Sequence, residues 1–213
     1  FEMKTKILLM TLVMGLWMDF NQVMAIPITI QITGEVTSAS GTSLPVTIYD
    51  GIPFTGTYTY ESSTIASTIN GGVGHHIHNA PYGFSLSLGG YEFKTAPNHV
   101  GQFDMWIRND DASDGVKDYY TVFSGENVST LPVGFTMWYI NWRLIDSTHT
   151  ALSSDALPVT APVLTDWNSN VLTIHAFDSL GYGISIYGTV THAIPEPVTG
   201  ILMVMGAVLL RHK

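Results

Sequence analysis

The amino-acid sequence predicts an all-β fold, an antiparallel two-sheet β-sandwich of the jelly-roll type over residues 26–193, with a hydrophobic helix at each end. Apolar and polar residues alternate with a period of two in many short runs, as in strands with one buried face. Turn-forming pairs such as Asp50-Gly51 and Gly89-Gly90 separate these runs. No window in this region carries the sustained apolar stripe of an amphipathic helix.

The alternation is plainest in the first strand, where Ile28, Ile30 and Ile32 are interleaved with threonine and glutamine. Valine, isoleucine, threonine and aromatic residues dominate the other candidate strands, as pleated surfaces favour. Strands are predicted at 28–33, 54–60, 84–88, 99–108, 118–124, 135–145, 171–178 and 184–187. We expect about ten strands in all, with short helical turns at 62–69 and 150–157.

The N-terminal segment 1–25 has the layout of a secretory signal peptide. Lys4 and Lys6 precede an apolar run at 7–18, and Val23 and Ala25 occupy the −3 and −1 positions of a cleavage site. We therefore expect the secretion machinery to export the chain and signal peptidase to cut after Ala25.

The C-terminal segment 194–213 combines a proline-rich motif with a hydrophobic run. Pro195, Glu196 and Pro197 precede the apolar residues 198–210, and Arg211-His212-Lys213 close the chain. As a helix, this run is roughly 20 Å long, against roughly 30 Å of membrane hydrocarbon. Snorkelling of Arg211 and Lys213 extends the span, and the basic end is expected to stay on the cytoplasmic side.

The order of these C-terminal features resembles the PEP-CTERM sorting tail of exported bacterial proteins. The resemblance rests on Pro195-Glu196-Pro197, the apolar helix, and a basic end that is thinner than the family's usual arginine cluster. It implies that an exosortase-like membrane protease recognises the motif and cuts near it. It also implies an inner-membrane anchor that is temporary, followed by a place at the cell surface or outside the cell, with exopolysaccharide as a partner.

Most of the remaining chain is loosely similar to the uncharacterised β-rich proteins that carry such tails. The likeness lies in the glycine-containing strands at 32–37, 54–63 and 183–191 and in the segment 153–158. The family assigns no activity to this region, so the likeness implies a β-rich fold and nothing catalytic.

The charge balance of the central region is strongly acidic. Between residues 26 and 197 there are four basic and fifteen acidic residues, a net charge of −11. Binding to nucleic acid and to anionic lipid both depend on lysine and arginine, so this composition argues against both. The chain has no cysteine, which excludes disulfides and thiolate chemistry.

Three histidines in one segment, His75, His76 and His78, are candidate zinc ligands. On a strand, His76 and His78 would face the same side. A metal-dependent hydrolase would need a further ligand, such as His99 or an aspartate. The alternative is a polar loop after Gly71-Gly72.

Four aspartates, Asp110, Asp111, Asp114 and Asp118, surround Gly115 and are candidate ligands of a structural calcium ion. The spacing is not that of an EF-hand, because Ala112 and Thr121 stand where carboxylates are required. The alternative is a solvated hairpin turn.

Aromatic residues raise the alternative of a lectin-like, carbohydrate-binding module. The parity of the strand at 135–145 favours Trp138 and Trp142 in the core, with Tyr139 and Arg143 towards solvent. An exposed row on one face would favour sugar binding instead. Its candidates are Tyr58, Tyr60, Trp106 and Tyr139.

Motifs for a catalytic nucleophile or for phosphate binding are absent from the sequence. We therefore expect a non-enzymatic protein with no catalytic residues and no cofactor beyond a structural calcium ion. The sequence predicts an exported, transiently membrane-anchored surface or matrix protein that associates with exopolysaccharide.

Overall fold

The computed structural model describes residues 27–70 and 73–196, and this part of the chain is all-β and antiparallel. The predicted all-β, antiparallel class is thereby confirmed. Residues 1–26, which hold Val23 and Ala25, and residues 197–213 lie outside the described part, as do the two flanking helices predicted there. The strands are β1 (Pro27–Ser40), β2 (Pro53–Glu61), β3 (Thr68–Asn70), β4 (Val73–His78), β5 (Gly83–Leu88), β6 (Tyr91–Thr95), β7 (Phe103–Asp111), β8 (Lys117–Ser124), β9 (Asn127–Ser129), β10 (Thr136–Asp146), β11 (Ser169–Phe177) and β12 (Gly183–Pro195).

The strands form one continuous hydrogen-bonded sheet in place of the two separate sheets predicted. Its order is β3-β4-β7-β8-β10-β11-β12-β1-β2-β5-β6-β9. The long strands β12 and β1 pair with each other and join the two halves of the sheet. Register shifts at Thr33/Gly34 and Val36/Ser38 interrupt that ladder. Such bulges increase local twist and bend, which suits a sheet that curls on itself.

The core lies between the two facing halves of this curled sheet. Tyr58 on β2 contacts Trp142 on β10, with ring centroids 5.7 Å apart. Phe84 on β5 meets Phe103 on β7 at 5.9 Å. The alternation read from the sequence holds in β1, where Ile30 and Ile32 are buried. The hydrophobic effect therefore places the apolar face of each half of the sheet in the core.

The helical turns predicted at 62–69 and 150–157 are wrong. In the second segment, side-chain carboxylates take the place of helical carbonyl acceptors. Asp146 accepts hydrogen bonds from the backbone N–H groups of Thr150 and Ala151, and Asp118 accepts one from Leu152. Short 3-10 turns occur instead at Ala112–Asp114 and Leu164–Asp166. Neither of these nor any other helix within 27–70 and 73–196 has the length and apolar character to cross a bilayer.

Two glycines allow strands β1 and β12 to lie under the ring of Phe54. A Cβ placed on Gly34 would lie 2.5 Å from Cζ of Phe54 and would also meet the carbonyl oxygen of Thr189. A Cβ on Gly188 would lie 2.7 Å from Cε1 of the same ring. Any residue larger than glycine at position 34 or 188 would therefore push apart β1 and β12, the strands that join the two halves of the sheet.

Candidate functional site

A bulge in β10 turns Trp138 out of the core. Met137 pairs with Ala176 and Tyr139 pairs with His175, so Trp138 is the extra residue between two ladder positions. It is 54 % exposed, whereas Trp142 is fully buried. The prediction of a core position was therefore wrong for Trp138 and is confirmed for Trp142. Bulges often re-aim side chains at functional sites, and this one places two successive aromatic residues on the outside of the sheet.

The bulge builds an aromatic cluster on the outer face of the sheet, the side that points away from the core. Tyr139 lies 4.7 Å from His175 between ring centroids, and Trp138 lies 5.5 Å from Phe177. His175 contacts Tyr187 at 5.9 Å. The aromatic cluster thus spans three neighbouring strands, β10, β11 and β12, and consists of Trp138, Tyr139, His175, Phe177 and Tyr187.

Beside this cluster the outer face has a depression, which we call the arginine hollow. Thr121 on β8 pairs with Trp106 on β7 and with Arg143 on β10, so a small side chain lies between two large ones. Tyr119 and Phe123 flank it along β8, because residues two apart share a face. The hollow has a volume of about 210 Å³ and is lined by Trp106, Arg108, Tyr119, Thr121, Phe123, Asn141 and Arg143.

Phe123 connects the arginine hollow to the aromatic cluster, since its ring lies 5.8 Å from that of Tyr139. Of the four aromatic residues proposed as a binding row, Trp106 and Tyr139 are on this outer face. Tyr58 and Tyr60 are fully buried and lie in the core instead. Alternation along β2 explains the difference, because Tyr58 and Tyr60 share the inward parity with Phe54.

Two guanidinium groups reach the hollow. Arg108 donates to Asp111 at 3.0 Å, and its Cζ lies 5.1 Å from the centroid of the Trp106 ring. Hydrogen bonds from Ser113 and then the charge of Arg108 hold the pKa of Asp111 below its usual range, against the effect of burial. Arg143 is exposed and forms no ion pair with any described residue. None of the described carboxylates lines the hollow.

One acceptor in the hollow has no partner. The side-chain oxygen of Asn141, Oδ1, is shielded from solvent and accepts no hydrogen bond from the described part of the chain. Because this oxygen is shielded from solvent, it is a buried acceptor beneath the hollow and is not a surface that a ligand contacts.

Next to the hollow, strand pairing brings together a serine, a histidine and an aspartate that sequence reasoning did not connect. Nδ1 of His75 lies 3.3 Å from Oγ of Ser67, and Nε2 lies 3.5 Å from a carboxylate oxygen of Asp104. The His75 ring stacks on Trp106 at 3.7 Å. Burial raises the pKa of Asp104, while His75 opposes that rise. However, Ser67 donates its only hydroxyl proton to the backbone carbonyl of His75 at 2.9 Å. As placed, the imidazole does not receive that proton, which a serine nucleophile requires.

His76 and His78 point inwards from β4 and are buried, so the expectation that they share one side is confirmed and the alternative of a polar loop is wrong. The ring nitrogens of His76 lie 2.9 and 3.2 Å from the carbonyls of Thr64 and Asp155. Burial lowers the pKa of His78. Across 27–70 and 73–196, no group of three histidine, aspartate or glutamate side chains is placed to hold a metal ion.

The described aspartates of segment 110–118, the predicted calcium ligands, mainly accept hydrogen bonds that stabilise the turn. Asp118 is fully buried and accepts hydrogen bonds from the backbone of Asp110 and Leu152. Asp111 accepts from the backbone of Ser113 as well as from Arg108. The Asp110 side chain is exposed, and that of Asp114 lies outside the described part. The structure does not gather the described carboxylates into a ligand set, and the calcium site stays a prediction.

Pro195 and Glu196, the first two residues of the predicted sorting motif, are joined to the sheet. Strand β12 continues past the predicted boundary at 193/194 to Pro195, which pairs with Ile30. Glu196 donates its N–H to the carbonyl of Thr29 at 2.8 Å and accepts a hydrogen bond from Gln31 at 3.0 Å. Pro197, Arg211 and Lys213 lie outside the described residues.

Comparisons with protein-family models, with curated proteins and with solved structures find no match for this chain. Functional assignment therefore rests on the chemistry of the residues and on the geometry of the outer face.

Proposed function

We propose that this protein is an exported, non-enzymatic component of the cell surface or extracellular matrix that binds exopolysaccharide through its outer face. The observation that supports binding most directly is the aromatic cluster, which the bulge at Trp138 places on the outside of the sheet. Aromatic rings offer flat apolar surfaces to the C–H faces of sugars, and exposed aromatic patches commonly mark binding sites. The alternative of a metal-dependent hydrolase has no supporting ligand set among the described residues.

The shape of the surface favours a polymer over an enclosed small molecule. The arginine hollow, at about 210 Å³, is smaller than the roughly 300–1,000 Å³ of pockets that surround a whole ligand. The aromatic cluster continues from it across β10, β11 and β12. A chain of sugar units lying across the strands would contact both regions at once, with one unit in the hollow.

Binding is tested by titrating the purified chain with polysaccharides while following tryptophan fluorescence. Trp138→Ala is expected to lower affinity by roughly tenfold, if a sugar face stacked on one ring is worth about 1 kcal/mol or more, the lower end of the value for nucleic-acid bases. Tyr49→Ala removes an exposed aromatic ring from the β1–β2 connection and is the matched control. Binding that is equally strong in wild type and W138A would remove the aromatic cluster from the proposal.

For export, we propose processing by signal peptidase after Ala25 and temporary anchoring in the inner membrane by the helix at 198–210. An exosortase-like protease would then act at Pro195-Glu196-Pro197. Replacing these three residues by alanine is expected to leave the chain uncleaved in the membrane of a bacterium that has such a protease. The double variant P132A/E126A, at exposed positions of the domain, is the control. Normal processing of the triple-alanine chain would refute the sorting assignment.

A further inference from the structure

We propose that the polysaccharide is anionic, and that the arginine hollow binds a sugar unit bearing a carboxylate, of the uronic acid class. This inference rests on the proposed function and assigns its ligand class. It follows from two properties of the hollow, namely its charge and its aromatic lining.

The charge of the hollow is opposite to that of the chain. The net charge of the protein is −9, and only four basic residues occur between residues 26 and 197. Two of these four, Arg108 and Arg143, line one hollow, and none of the described acidic side chains does. Arg108 is paired with Asp111, which does not line the hollow, whereas Arg143 has no ion pair with any described residue. An arginine without an ion pair, beside a second one, is suited to a carboxylate on a ligand.

Arg108 is held ready for such a contact. Its guanidinium lies over the rings of Trp106 and Tyr119, at 5.1 and 5.6 Å from their centroids, and one nitrogen is bonded to Asp111. These contacts fix the planar group while leaving further N–H donors free, since a guanidinium has five. Arg143, exposed on the opposite side of Thr121, is free to close onto a bound anion.

The combination of positive charge and an aromatic lining distinguishes a sugar acid from a simple anion. Phosphate-like or carboxylate ions lack an apolar face for Phe123, and a neutral sugar leaves the guanidinium groups without a counter-charge. A uronic acid unit supplies a carboxylate and a C–H face together.

The test compares polygalacturonate with the same polymer after chemical reduction of its carboxyl groups, both titrated against the purified full chain. The wild-type protein is expected to bind polygalacturonate at least roughly tenfold more tightly, as one charge-assisted contact allows. Arg143→Gln should abolish most of this preference, Arg143→Lys should restore part of it, and added salt should weaken binding. Lys94→Gln, which removes a positive charge outside the hollow, should change nothing.

The outcomes separate the inference from the proposed function. If the wild type binds both polymers with equal affinity, and W138A weakens that binding, the proposal of an anionic ligand is overturned. The proposal of polysaccharide binding then still stands. Binding of polyglutamate as tight as that of polygalacturonate would overturn the assignment of a sugar. Failure of the wild type to bind any polysaccharide would overturn both. A second variant, Thr121→Leu, fills the hollow from the outside of the sheet. It is expected to lose polygalacturonate binding while its free energy of unfolding stays unchanged.

Discussion

The hydroxyl groups of Tyr58 and Tyr120 meet at 2.7 Å inside the core, although the two residues are 62 positions apart in the chain. Tyr58 belongs to β2 and Tyr120 to β8, so the hydrogen bond joins the two facing halves of the curled sheet. Both residues are buried, and burial raises both pKa values well above the usual one for tyrosine. The pair therefore stays neutral and hydrogen-bonded at neutral pH.

The hydrogen bond between Tyr58 and Tyr120 can be tested by a double-mutant cycle. Tyr58→Phe and Tyr120→Phe should each lower the free energy of unfolding by about 1–3 kcal/mol, because each leaves a buried hydroxyl without a partner. The double variant should cost clearly less than the sum, since neither hydroxyl is then left unpaired. Urea denaturation of the four proteins measures this, and strictly additive losses would show that the hydroxyls are not coupled.

Asp146 gives a prediction for acid stability. Burial opposes its ionisation, but hydrogen bonds from Thr150, Thr148 and Ala151 outweigh burial and bring its pKa to about 2. Because this value lies below that of an unfolded aspartate, about 3.9, the stabilisation is present above pH 4 and is lost as the pH falls towards 2. Asp146→Asn should therefore be less stable by about 1–3 kcal/mol at pH 7.

The test of this assignment is the pH dependence of the difference between the two proteins. Urea unfolding at several pH values should show the gap between wild type and D146N narrowing from about pH 4 to about pH 2. Asp166→Asn, at an exposed position, is the control and should show little difference at any pH. A gap that is constant with pH would contradict the role given to the Asp146 carboxylate.

The bulge in β10 predicts opposite consequences for two neighbouring tryptophans. Trp142→Ala should cost about 3–5 kcal/mol of unfolding free energy, because it empties a fully buried site. Trp138→Ala should cost less than about 1 kcal/mol, because its side chain is more than half exposed. Chemical denaturation ranks the two, and acrylamide should quench Trp138 preferentially. The reverse ranking would place Trp138 in the core.

The close packing under Phe54 predicts a difference between two glycine substitutions. Gly34→Ala should destabilise the fold by about 1–3 kcal/mol, because the new methyl group meets both the Phe54 ring and the β12 backbone. Gly183→Ala should change stability by less than about 0.5 kcal/mol, since the nearest atom to its Cβ, Cε1 of Phe177, is 4.0 Å away. Thermal unfolding of both variants provides the comparison, and similar melting temperatures would refute the packing account.

The strands and the inward residues were predictable where alternation is regular. Ile30 and Ile32 are buried as expected, because side-chain direction along one strand is a local property. Trp138 was placed wrongly for the same reason, since a single extra residue reverses the parity of everything before it. The number of sheets was also missed, because the pairing of β12 with β1 is not encoded in either strand alone.

By itself the sequence determined the all-β class, the positions of most of the longer strands and the acidic character of the domain, and it alone suggests the export signals proposed for the two ends. All of these depend on neighbours along the chain. Only the tertiary structure decided that Trp106, Thr121 and Arg143 lie side by side, and that Trp138 faces outwards. The arginine hollow exists because β7, β8 and β10 pair in one register, and register is set by the packing of the whole sheet.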